Sequence, residues 1–143
     1  MTDPGEDIAD ALVAYVGALG TFSLAADDIR KTDNPLEDLK YEQDGLRVLF
    51  HASAEEAERI GRGGQVLERF IVSMLVVRKI SDDVTKTMLA TFTRELKAAI
   101  RGVRMATYPQ TGEATPTKCD GQQMLQGQFC SVSEFTYSKA GTT

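Results

Sequence analysis

Hydrophobic residues recur at helical spacing in two segments of the chain, 6–19 and 82–103. Intervals of three and four residues place apolar side chains along one side of a helix, so each segment predicts a helix that covers an apolar surface. Ser81, Asp82 and Asp83 favour a helix start, because a hydroxyl caps free amides and carboxylates complement the helix dipole. The repeating positions are Ile8, Leu12, Tyr15, Val16 and Leu19 in the first segment, and Val84, Met88, Phe92, Leu96, Ile100 and Val103 in the second.

Alternating and β-branched apolar residues predict strands, with charged or glycine-rich connections between them. The predicted order is α-β-β-β-α-β. It indicates a single α+β domain over 1–143, in which a mostly antiparallel sheet of about four strands has two helices packed on one face. The predicted strands are 22–26, 46–50, 65–80 and 129–137, and the connections are a polar segment at 27–44, an exposed turn or arm at 54–64, a long functional or flexible loop at 104–128 and a tail at 138–143.

The strongest strand pattern, 65–80, is apolar on both faces. Phe70, Val72, Met74 and Val76 face one side of the strand, and the other side is apolar as well. The two helices can cover only one of these sides. The second face needs its own cover, either a loop of this chain (27–44 or 105–128) or a neighbouring subunit. Large apolar side chains left in water make a patch that monomers rarely tolerate, which favours a subunit contact. The predicted contact residues are Leu67, Arg69, Ile71, Leu75 and Val77.

Composition excludes several functional classes. The net charge is −5, from 21 acidic and 16 basic side chains, and the basic residues are scattered rather than gathered into the stripe that a nucleic-acid reader needs. No stretch approaches the roughly 20 apolar residues of a membrane span. Cys119 and Cys130 are the only cysteines, so a disulfide framework does not hold the fold.

Candidate chemistry is sparse. His51 is the only histidine, so no histidine cluster for a metal can form within one chain. The glycines of 61–64 lack the Gly-Lys-Ser/Thr ending of a phosphate loop. Three glutamates at 55, 56 and 58 lie in a charged exposed segment, where nothing separates their pKa values for acid–base work. We therefore predict no catalytic residue, no cofactor and no metal.

Several local patterns resemble the tail terminator proteins of long-tailed bacteriophages. The resemblance spans most of the chain, and no part of it is a catalytic signature. It rests on the N-terminal helix, the Asn34-Pro35-Leu36 connection with Leu39, the 46–50 strand, the arginine-containing turn 59–64, the long strand 66–79 and the helix 82–103.

This resemblance implies a virion protein that forms a homo-oligomeric ring, commonly of six subunits, through which DNA passes without specific binding. The ring would cap the tail tube protein and meet a head-completion or neck protein through exposed loops. A neck adaptor is the alternative within assembly proteins, and a small cytosolic enzyme or ligand-binding domain, with Arg69, Ser73 and Lys79 over the second face, is the alternative outside them. The residues implied as partner contacts are Arg59, Arg62, Tyr108, Met124 and Leu125.

Overall fold

The computed structural model describes residues 3–19, 22, 28–32, 46–59, 64–79, 83–114 and 128–142. Its fold is α+β: a five-stranded sheet in the order β1-β2-β3-β5-β4, with both helices packed on one face. Neighbouring strands are antiparallel except β1 and β2, so the sheet is mixed. The elements are α1 (Pro4–Leu19), β1 (Asp28–Lys31), β2 (Arg47–Arg59), β3 (Gln65–Lys79), α2 (Asp83–Ile100), β4 (Gln110–Ala114) and β5 (Gln128–Thr142).

Helix α1 starts at Pro4, earlier than its apolar pattern indicates. The Asp3 carboxylate accepts a hydrogen bond from the Gly5 amide at 2.8 Å, and a proline at the first helical position loses no intrahelical bond. Gly5 is buried, and a Cβ there would lie 3.4 Å from that of Ala52. A small residue therefore lets the start of α1 approach β2 closely.

Helix α2 buries a stripe that differs by one residue from the predicted one. Leu89, Phe92, Leu96 and Ile100 are each at most 1% exposed, whereas Met88 is 46% exposed. One residue step rotates a side chain by about 100° around the helix axis, so Leu89 takes the core position and Met88 points to solvent. The prediction of Met88 as a core residue was therefore wrong.

The main core lies between the helices and the even-numbered residues of β3. Phe70, Val72, Met74 and Val76 are at most 1% exposed, and the facing β2 and β5 residues Phe50 and Tyr137 are fully buried. Burial raises the pKa of the Tyr137 hydroxyl to about 12, and Gln110 donates a hydrogen bond to its oxygen at 3.4 Å. The predicted facing of β3 is confirmed: its even-numbered side faces the helices.

The first strand lies later than predicted. Phe22 is not in a strand, and its ring instead packs edge-on against Phe92 with centroids 5.8 Å apart. The strand is β1, which carries a single apolar residue, Ile29, and so lacks the alternation that predicts strands. Lys31 at its end contacts Glu6 and Asp10 of α1 at 2.8 and 3.2 Å, so charge pairing joins this edge strand to the helix.

Three other boundaries differ from the sequence pattern. Strand β2 continues through the segment predicted as a turn to Arg59, and β5 continues beyond Tyr137 to Thr142. Both extensions form backbone hydrogen bonds with β3, which satisfies their amide and carbonyl groups. Their polar side chains lack the apolar alternation that predicts a strand. Part of the predicted loop 104–128 is the edge strand β4. The Asn34-Pro35-Leu36 connection and Cys119 lie outside the described residues.

Candidate assembly interface

The sheet extends beyond its helices as a three-stranded arm, made of residues 54–59 of β2, 65–71 of β3 and 136–142 of β5. Ala54 pairs with Ile71, and Ile71 pairs with Thr136, so the three strands enter the arm at the same level. Every residue of 53–59 is exposed. Neither helix therefore covers residues 53–59, whereas Phe70 and Tyr137 at the base of the arm belong to the main core.

A β-bulge at Ser53 marks the start of the arm. The pairing of β2 with β3 shifts register between Ala52 and Ala54, which leaves Ser53 without a partner residue in the ladder. The Ser53 hydroxyl donates a hydrogen bond to the carbonyl oxygen of Ile71 at 3.0 Å. Because a bulge bends a strand and increases its twist, the arm leaves the body of the sheet at an angle set by this residue.

The face of the sheet opposite the helices, here called the second face, divides into a buried and an accessible half. In the body of the sheet, Leu49, Leu75 and Val77 are 0%, 5% and 1% exposed within the single chain. In the arm, Leu67, Arg69 and Ile71 are half-buried. The expectation that Leu75 and Val77 form an exposed patch is thus corrected, because the chain covers them itself. Among the described apolar side chains of the second face, Leu67 and Ile71 of the arm are half-buried, as is Val132 of β5, which packs against the buried group.

Arg69 holds its place on the arm through an ion pair across the strands. Its guanidinium lies 2.7 Å from the carboxylate of Glu58, with side chains 33% and 57% exposed. Glu56 pairs with Arg69 in the backbone register and shares the same face. The second face of the arm therefore combines the apolar Leu67 and Ile71 with the paired charges of Arg69 and Glu58. Protein interfaces have the same composition, with an apolar centre and a polar rim.

The arm also has an accessible backbone edge. Strand β1 pairs with β2 only from Arg47 to Phe50, so within the described part of the chain no strand borders the outer edge of 53–59. His51 ends the covered stretch: its Nδ1–H donates to the carbonyl oxygen of Thr32 at 2.9 Å. An exposed strand edge offers amide and carbonyl groups that can pair with another chain. The bond to Thr32 also gives the only histidine a structural role.

On the helix side of the sheet, carboxylates surround Tyr108 at the base of the arm. The Tyr108 ring packs edge-on against Phe70 with centroids 5.3 Å apart, and the Lys139 ammonium lies 5.4 Å from the ring centre. Burial raises the pKa of the Tyr108 hydroxyl above its usual range, and Glu68, Asp7 and Glu55 raise it further. We call Asp7, Glu55 and Glu68 the acidic surface. It was missed in the sequence because α1, β2 and β3 each contribute one carboxylate.

Tyr108 is placed by a turn with an unfavourable backbone. Met105 and Tyr108 exchange two backbone hydrogen bonds, at 3.0 and 2.8 Å, around Ala106 and Thr107. These two residues have φ angles of 49° and 71°, the left-handed region that glycine and asparagine favour. A β-branched threonine is strained there, and the hydrogen bonds together with the Phe70 contact of Tyr108 retain the conformation.

Replacing Thr107 with glycine is expected to raise the free energy of unfolding by about 0.5–1 kcal/mol. The left-handed conformation costs an ordinary residue about 1–2 kcal/mol, and glycine removes this strain from the folded state. The greater conformational entropy of glycine in the unfolded chain offsets part of that stabilisation. Urea unfolding measures the change. Gly102→Ala is the matched reverse control, since Gly102 has φ 74° and open space around its Cβ position, so it should destabilise the chain. A loss of stability in Thr107→Gly would mean that the threonine side chain contributes more than its backbone costs.

The predicted contact residues fall in three groups. Arg59 is exposed at the far end of the arm, and half-buried Tyr108 lies at its base on the helix side. Leu67, Arg69 and Ile71 lie together on the second face of the arm. Arg62, Met124 and Leu125 lie outside the described residues. The structure thus brings predicted residues from two distant segments, 59–71 and 108, onto one extension of the sheet.

The described residues contain no group of three or more histidine, cysteine or acidic residues able to hold a metal ion, and no helix among them is long and apolar enough to cross a bilayer. A cavity of about 260 Å³ lies on the helix side of the arm base, lined by residues that include Asp3, Glu6, Glu55 and Phe70. This cavity lies next to the acidic surface, with which it shares Glu55.

No protein-family model matches the sequence, and no curated protein sequence matches it. Among solved structures, the chain is similar to one from the virion of a native gene transfer agent particle. The sequence identity is 15%, the alignment covers 94% of this chain and 98% of that chain, and the TM-score is 0.48.

Proposed function

We propose that this chain is a virion structural protein of a phage-type particle, a tail terminator that caps the tail tube and joins it to the head. The arm is the observation that carries the proposal. It is an exposed three-stranded extension with half-buried apolar side chains and an accessible backbone edge. Such an extension has few contacts with its own chain beyond the ladder, so burial against another subunit would stabilise it.

The position of the arm at one end of the sheet supports the proposal of a ring. An arm that contacts a different surface of the next copy makes a heterologous interface, and such interfaces close into rings when the rotation between copies permits. The resemblance of the sequence to tail terminators favours six copies. Leu67 and Ile71 would then pass from half-buried to buried, each gaining part of the roughly 1.5–3 kcal/mol that full burial of such a side chain provides.

The partners proposed for this ring are the tail tube protein on one side and a head-completion or neck protein on the other. Arg59 is exposed at the far end of the arm, so it retains surface for contacts outside the ring interface. DNA passes through the ring without specific binding, and the net charge of −5 is suited to a channel that does not hold phosphate. The protein acts without catalysis and resides in the tail or neck of the virion.

Mass measurement with and without tail tubes tests this function. A ring of about six copies, or a monomer that assembles only on purified tubes, is the expected result. A compact dimer that ignores tail tubes would contradict it. Binding to portal or head-completion protein in place of tubes would assign the chain to the neck, and binding of a small molecule at the second face would favour the ligand-binding alternative.

A further inference from the structure

The outer side of α2 carries a row of positive charges near its C-terminal end. Arg94, Lys97 and Arg101 follow one another at intervals of three and four residues along one side of α2, and Arg104 comes after Gly102, whose φ of 74° ends the helical conformation. The three arginines are exposed and Lys97 is half-buried. We call these four residues the basic stripe. The fold of the single chain does not require it to be basic, because the core positions of α2 lie on the opposite side.

The basic stripe and the acidic surface lie over different parts of the sheet. Arg101 donates two hydrogen bonds to the Glu113 carboxylate of the edge strand β4, at 2.7 and 3.0 Å. This contact places the stripe at the β4 edge and lowers the pKa of Glu113 below its usual range. Glu55 and Glu68 belong to β2 and β3, which are separated from β4 by β5. The Arg101–Glu113 pair and the strands that carry Glu55 and Glu68 therefore lie at different positions across the sheet.

We propose that the basic stripe of one copy docks on the acidic surface of the next copy around the ring. The proposal rests on the proposed assembly and names the two surfaces that meet in it. Two different, complementary patches on one chain are what a head-to-tail contact requires. The Lys139 ammonium of the same chain already lies over the Tyr108 ring, so the carboxylates of the acidic surface are the groups that the stripe would contact.

A second copy fits these surfaces better than DNA does. The basic stripe includes Arg101, which is already paired with Glu113, so few of its cations remain to displace counterions from a duplex. The acidic surface repels phosphate. A partner that matches both patches must itself carry both signs, and this chain does. The ring contact would bring the arm of one copy beside α2 of its neighbour.

Charge reversal with complementation tests this contact. One variant carries Arg94→Glu and Arg104→Glu, and the other carries Glu55→Lys and Glu68→Lys. The first variant lowers the formal charge of the basic stripe from +4 to 0, and the second changes that of the acidic surface from −3 to +1. Each variant alone loses the attraction between the two surfaces, so we expect the protein concentration needed for assembly to rise roughly tenfold or more. In an equal mixture, copies of the two variants can alternate around a ring with an even number of subunits. Residues of opposite charge then face one another at every contact, and assembly should return. Higher salt should weaken assembly of the unmodified chain.

Controls separate this contact from folding and from the proposed function. Circular dichroism and thermal unfolding confirm that each variant folds, and Arg30→Glu reverses an exposed charge on β1, away from both surfaces. Unchanged assembly in both variants, or loss without recovery in the mixture, would overturn the contact while leaving the ring intact as a proposal. If the unmodified chain forms no ring, even on tail tubes, the proposed function itself fails. Loss of duplex-DNA binding with normal assembly in the arginine variant would make the stripe a nucleic-acid contact.

Discussion

Replacing Phe70 with alanine is expected to lower the free energy of unfolding by about 3–5 kcal/mol, the usual cost of removing a buried aromatic ring. Phe70 is 1% exposed and contacts the ring of Tyr108 edge-on. It also lies beside Gly5 at the start of α1. One side chain thus joins the arm, the strained turn and the first helix, so the cavity cannot be filled by a shift of a single element.

Leu67→Ala is the matched control for Phe70→Ala. Leu67 lies three residues earlier on the same strand, is half-buried and faces the opposite side. Its replacement should cost the isolated chain about 1 kcal/mol or less, since part of the side chain is already in solvent. Urea unfolding of monomeric protein compares the two. Equal losses would mean that the helix side of the arm base is no better packed than its second face.

Changing Leu67 and Ile71 together to glutamate is expected to abolish assembly while the chain still folds. The two side chains are half-buried on the second face of the arm, so a charge there can reach water in the monomer. In the ring, both carboxylates would be removed from water among apolar contacts, which costs far more than the lost burial. Native mass measurement should show monomer at concentrations at least a hundredfold above those at which the unmodified chain assembles.

Two single changes calibrate that experiment. Ala14→Glu adds a charge at an exposed position of α1 and should leave assembly unchanged. Leu75→Glu should unfold the chain, because Leu75 is 5% exposed and packs with Leu49 and Val77 before any neighbour arrives. A soluble, folded Leu75→Glu protein would show that the buried half of the second face is not covered within the chain. Normal assembly of the double variant would remove the second face of the arm from the interface.

The elements that sequence predicts well are those that bury a complete periodic pattern. Strand β3 supplies the centre of the sheet, and its alternation places Phe70 and Val72 on one face and Leu75 and Val77 on the other. Helix α2 is predicted nearly to its ends for the same reason. In both cases burial requires one face to be apolar, so the amino-acid pattern records the contact.

The elements that the sequence does not reveal are held by backbone pairing and charge. The extension of β2 into the arm is exposed, that of β5 is mostly polar in sequence, and both pair with β3 through their backbones. Strand β1 has one apolar residue, and its Lys31 depends on carboxylates of α1. The acidic surface is even harder to predict from the sequence, because Asp7, Glu68 and Tyr108 come close together only in the folded chain. Periodicity does not encode these contacts.

Amide hydrogen exchange, compared between dilute monomer and assembled protein, tests most directly whether the arm is the assembly interface. Residues 54–59 of β2 have an open outer edge in the single chain, so their outward amides should exchange quickly in the monomer. We expect strong protection of 54–59 and of 65–71 on assembly, with little change in the buried part of β3. Protection confined to other segments, with the arm exchanging as fast as in the monomer, would contradict the account.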